Sequence, residues 1–310
     1  MALRDGPAVP RSDLRPALCC TCAVPAVLAL VSAVLWGIGD FVGGLGSRRS
    51  TPLQTLVITT PAGLLLVLPF AFLVTGDAAG SAVPGILAGA FGSFGILALY
   101  AALSLGPMGV VSPVSAVLGA AIPVVVGLLR GERPGGLAYV GMALAVVAII
   151  TVGLEPESPT DDSTHQRVTP RALGLAVGAG VGVGLFFTFV SFAPSGAGLW
   201  PVVFARTTST VVLVALALVV AARRRTPLLP PATQVRWLGV VAGGFDAWAN
   251  GVYVIAVRTG MLSVVAVLGS LYPAATVLLA RYVLAERLRP AQKIGMVTAL
   301  VAAVLLAVPA

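Results

Sequence analysis

Hydrophobic residues in this chain fall in continuous runs rather than in alternation, and each run approaches the length of a membrane crossing. A helix needs about 20 apolar residues to cross ~30 Å of hydrocarbon. By that criterion the chain predicts about ten helices. Five are Val24–Leu45, Leu53–Val74, Val83–Leu105, Met108–Leu129 and Leu137–Leu154. The other five are Ala172–Phe192, Leu199–Ala222, Val235–Val257, Met261–Val283 and Ala291–Val308. The strands of a membrane barrel alternate, so continuous runs exclude that class. Polar residues collect in two places. Met1 to Ala23 carries Arg and Pro and reads as a disordered tail. Glu155 to Pro170 contains PESPTDDSTHQ, which cannot bury itself and reads as a solvated loop joining two halves. The first run is too long for a signal peptide, lacks a small-residue cleavage site and is followed by many like it.

The two halves repeat. Displaced by 154 positions, Gly85, Gly89, Phe91, Ala102, Gly106, Glu132, Arg133, Gly141 and Met142 fall on Gly239, Gly243, Phe245, Ala256, Gly260, Glu286, Arg287, Gly295 and Met296. The expected organisation is a first five-helix unit over 24–154, a linker over 155–170 and a second unit over 171–310. Five is odd, so the second unit must enter the membrane from the opposite side. The predicted fold class is therefore an all-α polytopic membrane protein of two inverted five-helix repeats. Such an arrangement is typical of secondary transporters, with the substrate site near the midplane between repeats. GILAG (Gly85 to Gly89) and GVVAG (Gly239 to Gly243) place GxxxG at matched positions, where small residues let helix backbones approach. Gly174, Gly178 and Gly182 carry the same spacing in the sixth predicted helix. Pro61, Pro113, Pro123, Pro201 and Pro273 are candidate helix breaks, which often line cavities.

Composition agrees. Hydrophobic residues make up 58% and charged residues 10%, with a mean hydropathy of +1.03. Soluble domains carry roughly a quarter charged residues, so this chain cannot clothe itself in a hydrated surface. The net charge of +8 resides in short connections such as Arg48-Arg49 and Arg223 to Arg225, where anionic lipid headgroups rather than nucleic acid are the expected partner. Cys19, Cys20 and Cys22 are too few ligands for a zinc site, and the single histidine, His165, is far away in sequence. No P-loop, HExxH or GxSxG occurs, so neither a nucleotide-driven pump nor an enzyme is expected, and no metal or cofactor is called for.

Candidate chemistry lies in the few polar residues inside the spans. An ionised group at the bilayer centre costs several kcal/mol, about 2.5–3.5 on insertion scales. Asp40, Asp246 and Arg206 therefore need a partner, a proton or a watery cavity. Two readings stay open: either aspartate carries protons, or Arg206 and one aspartate form a permanent structural pair. Asp246, Asn250 and Tyr253 sit at i, i+4 and i+7 and share one helical face. Trp36, Tyr253 and Tyr272 are aromatic candidates for stacking on substrate, with packing as the commoner role. Glu132-Arg133 and Glu286-Arg287 read as helix-end stops at the water interface.

With repeat, helix count and motifs in view, the chain from about Val24 to Val308 resembles the EamA-type transporters of the drug/metabolite transporter superfamily. The residues that carry the likeness are Trp36-Gly37, the SLYPAATVLLARYVLAERL stretch from Ser270 to Leu288, and Gln292 and Gly295. The resemblance implies a Pro in the fourth helix of each repeat ahead of a Gly/Ala-Glu pair. Pro273 with Ala285-Glu286 fits, and Gly131-Glu132 fits with Pro123 one turn nearer. It also implies an arginine in the second helix of a repeat, which Arg206 matches, whereas Val57 to Thr60 offers only neutral residues. The expected function is secondary active transport of small metabolites or drug-like compounds across the cytoplasmic membrane, with export driven by a proton or substrate gradient. The expected partners are a small-molecule substrate and the lipid bilayer, with a homodimer left open. A non-transporting scaffold or lipid-handling accessory protein is the alternative. The resemblance implies cytoplasmic termini, whereas the clusters at Arg48-Arg49, Arg223 to Arg225 and Arg287 to Lys293 favour the reverse orientation.

Overall fold

The computed structural model describes residues 14–74, 76–105, 108–153, 169–230, 232–283 and 290–308. The first half contributes α1 (Leu14–Arg48), α2 (Pro52–Leu73), α3 (Ala82–Leu105), α4 (Met108–Leu129) and α5 (Gly136–Gly153). The second contributes α6 (Pro170–Ser191), α7 (Trp200–Arg224), α8 (Thr233–Thr259), α9 (Leu262–Gly269), α10 (Tyr272–Val283) and α11 (Pro290–Ala307). Among the described residues there is no strand. Seven helices among the described residues are long and apolar enough to cross a membrane, and three further apolar segments, Val114–Leu129, Gly136–Val152 and Leu262–Thr276, are shorter. Helix α1 starts at Leu14, ahead of the boundary expected at Val24, and carries Cys19, Cys20 and Cys22 in its early turns. The remaining tail, the linker with His165, and Glu286-Arg287 lie outside the described residues.

Local chemistry explains where helices begin and end. Thr51 caps α2 in a reciprocal box with Gln54, and Pro52 occupies the first turn, where its missing N–H costs nothing. Thr169 caps α6 in front of Pro170 by accepting the Ala172 N–H, without a reciprocal arm. Arg225, at φ 51°, ends α7 in the left-handed region behind Arg223 and Arg224, whose charges suit a helix C-terminus.

The prolines behave less uniformly than expected. Helix α2 runs on through Pro61, α4 continues through Pro113 and Pro123, and Pro201 sits in the first turn of α7. Only Pro273 coincides with a break. The single helix expected over Met261–Val283 is divided between Gly269 and Tyr272. Proline has no N–H to offer the carbonyl four residues back, and its ring crowds that carbonyl. Here that carbonyl belongs to Gly269, the last residue of α9, and Ser270 closes the turn by donating its N–H to Ala266 and Leu268.

The halves grip each other reciprocally. Helix α1 packs on α8 and α3 on α6; α2 packs on α8 and α3 on α7; α4 packs on α6 and α1 on α10; α5 pairs with α11 and α4 with α9. The glycines set these contacts. A Cβ added at Gly89 would strike the Ala205 carbonyl oxygen on α7, and one at Gly243 the Thr59 carbonyl oxygen on α2. Gly85 and Gly239 stand one turn earlier, against Phe204 and Ile58 respectively. Gly141 faces Leu306 and Gly295 faces Val152, a matched pair of contacts between α5 and α11. In α6 the contacts differ from the expected row. Gly174 meets nothing within 4 Å, while Gly180, Gly182 and Gly184 press on Ser115, Gly95 and Ile122.

Candidate functional site

On α8, Asp246 and Asn250 of the expected polar face come together where the helix meets α7 and α1. Asp246 forms an ion pair with Arg206 of α7, and the same guanidinium reaches the Asp246 carbonyl oxygen at 3.5 Å. The Arg206 side chain is 10% accessible and the Asp246 side chain 30%. One turn along, Asn250 is buried and donates from Nδ2 to the Asp246 carbonyl oxygen at 2.6 Å and to Oδ1 at 3.1 Å. Among the described residues its own Oδ1 accepts no hydrogen bond. Arg206 and Asn250 thus hold the Asp246 carboxylate and its backbone from two sides. Of the two readings left open by the sequence, a paired arginine and aspartate is the arrangement present.

Asp40 approaches the same cluster from the first half. A Cβ on its neighbour Gly39 would contact Ala242, Phe245 and the Asp246 nitrogen at 3.4–3.5 Å, so α1 lies close along this face of α8. Asp40 is within electrostatic reach of Asp246, keeps an exposed side chain, and among the described residues forms no ion pair. The cluster therefore holds two carboxylates and one cation at a junction between the halves.

Trp36 of α1, Tyr253 of α8 and Phe187 of α6 pack against one another with their rings tilted. Their ring centroids are 5.2 Å apart for Trp36–Phe187, 5.4 Å for Trp36–Tyr253 and 4.8 Å for Phe187–Tyr253. All three are buried. Aromatic pairs at such spacing contribute about 0.5–1.5 kcal/mol beyond burial, so in this conformation the rings are packing partners of one another. The Tyr253 hydroxyl is buried without a hydrogen-bond partner among the described residues. Tyr272, at the start of α10, places its carbonyl oxygen against Gly37, and Thr276 donates to the Gly37 carbonyl at 3.2 Å. The break at Pro273 thus abuts the Trp36-Gly37 pair.

Glu132 does more than stop a helix. Gly131, at φ 91°, turns the chain left-handed after α4, with its N–H bonded to Leu128 and that of Glu132 to Gly127. The turn folds the Glu132 carboxylate over Gly127, where a side chain would collide with it. There Oε1 accepts the Leu262 N–H at 2.6 Å and Oε2 the Ser263 N–H at 2.9 Å. A carboxylate from the first half thus caps the short α9 of the second, at the positive end of its dipole. Sequence reading missed this reach, and it missed Phe187. The FFTF run in α6 was the available signal for the latter.

Among the described residues no group of three or more metal-ligating side chains occurs. No curated protein matches the chain. One solved crystal structure of a protein superposes with a TM-score of 0.69 at 18% identity, covering 91% of this chain and 95% of its own, a likeness that speaks for the fold alone. The profile of the EamA-like transporter family matches residues 24–154 and again 170–308, one match to each half. A helical membrane chain, duplicated and matched over both of its halves, belongs to the EamA-like transporter family.

Proposed function

We propose that this protein is a secondary active transporter that exports small metabolites or drug-like compounds across the cytoplasmic membrane, coupled to a proton or substrate gradient. The observation that carries the reading is the charged cluster of Asp40, Arg206, Asp246 and Asn250 at a junction between the two halves. Intramembrane ionisable groups are costly and mark transport pathways by default. Arg206 and Asp246 offset each other, so the coupling role falls to Asp40, which has no cation of its own among the described residues. The charged groups facing it are Asp246 and, beyond it, Arg206; both belong to the second half.

The proposed topology is ten spans in two inverted repeats. Seven long helices and three shorter apolar segments supply the spans, and the reciprocal packing of the halves is what a two-fold axis in the membrane plane produces. We place both termini in the cytoplasm, because later arginine clusters adjoin helices already committed to an orientation.

The test is flux in proteoliposomes, screened over amino acids and cationic dyes with and without a pH gradient. Asp40→Asn should abolish gradient-driven accumulation while leaving substrate exchange intact. Wild-type coupled accumulation in that variant removes the assignment of Asp40, and no flux of any compound in the wild type removes the transporter reading.

A further inference from the structure

A second polar site lies away from the charged cluster, at the end of the bundle where α4, α6 and α8 all terminate. It is a cavity of about 220 Å³ lined by Arg130, Ser191, Ser195, Val254, Val257 and Arg258. Two guanidinium groups face one small space. Arg130 approaches the Ser191 hydroxyl at 3.5 Å and stands 5.1 Å over the Phe192 ring, contacts that hold the side chain at the cavity. Nη2 of Arg258 is cut off from solvent and has no hydrogen-bond partner among the described residues. Among the described residues neither arginine forms an ion pair with a carboxylate.

The helix C-termini that meet here favour cations, which accounts for the two charges but leaves the Nη2 donor of Arg258 unmade, and a buried donor calls for an explanation. In the sequence repeat, Arg258 corresponds to Ser104 and Arg130 to Leu284, so neither cation belongs to what the two copies share. We propose that this cavity is an oxyanion-binding site, taking a carboxylate or phosphate group between the forks of Arg130 and Arg258, with the Ser195 hydroxyl as a further donor; the Ser191 hydroxyl already donates to the Thr188 carbonyl and only steadies Arg130. A planar guanidinium presents paired N–H groups that match two oxygens of such a group. The cavity is smaller than the ~300–1,000 Å³ of sites for drug-sized ligands, so it accommodates the charged end of a molecule. In transport this is where the anionic end of a small metabolite docks at the mouth of the bundle, a role that rests on the transporter reading above. Binding itself does not rest on it. A lipid phosphate reaching in from the headgroup layer is the other source of the same chemistry.

The experiment uses the full chain, delipidated in an uncharged detergent, and melts it with sodium phosphate, sodium acetate or sodium chloride at constant ionic strength. In parallel, retention of phosphatidylglycerol is read by native mass spectrometry. Phosphate or acetate should raise the melting temperature above the chloride control, and Arg258→Gln and Arg130→Gln should each weaken the response at least tenfold in concentration. Arg258→Lys should restore only part of it. Should Arg258→Gln fail to fold, Arg130→Gln carries the same test. Phosphatidylglycerol retained by the wild type and lost from both variants, without a response to free ions, assigns the site to lipid. Equal behaviour of wild type and variants in both arms overturns the proposal. Flux that persists in such a case leaves the transporter reading standing, and ion binding without flux separates the two the other way.

Discussion

Asp246→Asn tests the central pair most directly. The substitution keeps shape and one acceptor oxygen but leaves the Arg206 guanidinium, 10% accessible, without a counter-charge. Removing one partner of a buried ion pair costs about 3–5 kcal/mol. Asp246 is 30% accessible, its carbonyl oxygen still faces Arg206, and the new amide can still accept one hydrogen bond, so a value of about 2–3 kcal/mol is expected. At roughly 2 °C per kcal/mol for a chain of this size, the melting temperature in detergent should fall by about 4–6 °C. Arg206→Gln should cost less, because a carboxylate can shed its charge by taking up a proton and a guanidinium cannot. The double variant should recover more than half of the Asp246→Asn loss, and Asp40→Asn, with no cation to strand, should melt near the wild type. A full cycle of these variants by differential scanning fluorimetry reads all of this. Additive losses in the double variant would refute the pairing argument, whatever the flux assays show.

The glycine contacts predict a contrast within one residue type. Gly89→Leu and Gly243→Leu force a side chain into the carbonyls of Ala205 and Thr59 and should each lose at least 1–3 kcal/mol, whereas Gly174→Leu, with nothing within 4 Å, should stay within about 0.5 kcal/mol on the same melts. Glu132→Gln removes a charge from the N-terminus of α9 and should cost about 1 kcal/mol, seen as faster hydrogen exchange at Leu262 and Ser263; unchanged exchange there would count against the cap. For orientation, a fluorescent protein fused after Ala310 should be bright and an alkaline phosphatase at the same place inactive, the opposite pair of results requiring termini outside the cytoplasm.

Much of the fold is legible in the sequence because the membrane makes one demand of every segment, and apolar length answers it. The start of α4 at Met108 and the end of α8 beside Gly260 follow from runs and turn residues alone. The division of α9 from α10 was less legible. Proline marks candidate breaks, but which of five breaks depends on whether neighbours satisfy the freed carbonyl, a tertiary fact. The site shows the same split. Periodicity places Asp246, Asn250 and Tyr253 on one face, and the charges alone leave the pairing of Arg206 with an aspartate as one of two arrangements. That Glu132 reaches across to α9, or that Phe187 closes the ring cluster with Trp36, depends on which helices cross. No spacing along a single helix encodes that.

The reciprocal grip of the halves bears on what the protein does at rest. Under the inverted arrangement proposed above, exchanging the conformations of the two halves turns an inward-facing molecule into an outward-facing one. Were the halves identical in sequence, the two forms would be equal in free energy and equally populated. Only positions where the copies differ can tilt that balance. Arg258 against Ser104 and Arg130 against Leu284 are such positions, and so is Arg206 against the neutral stretch of Val57 to Thr60. Duplication supplies the two states, and the residues that break it choose which one the transporter waits in.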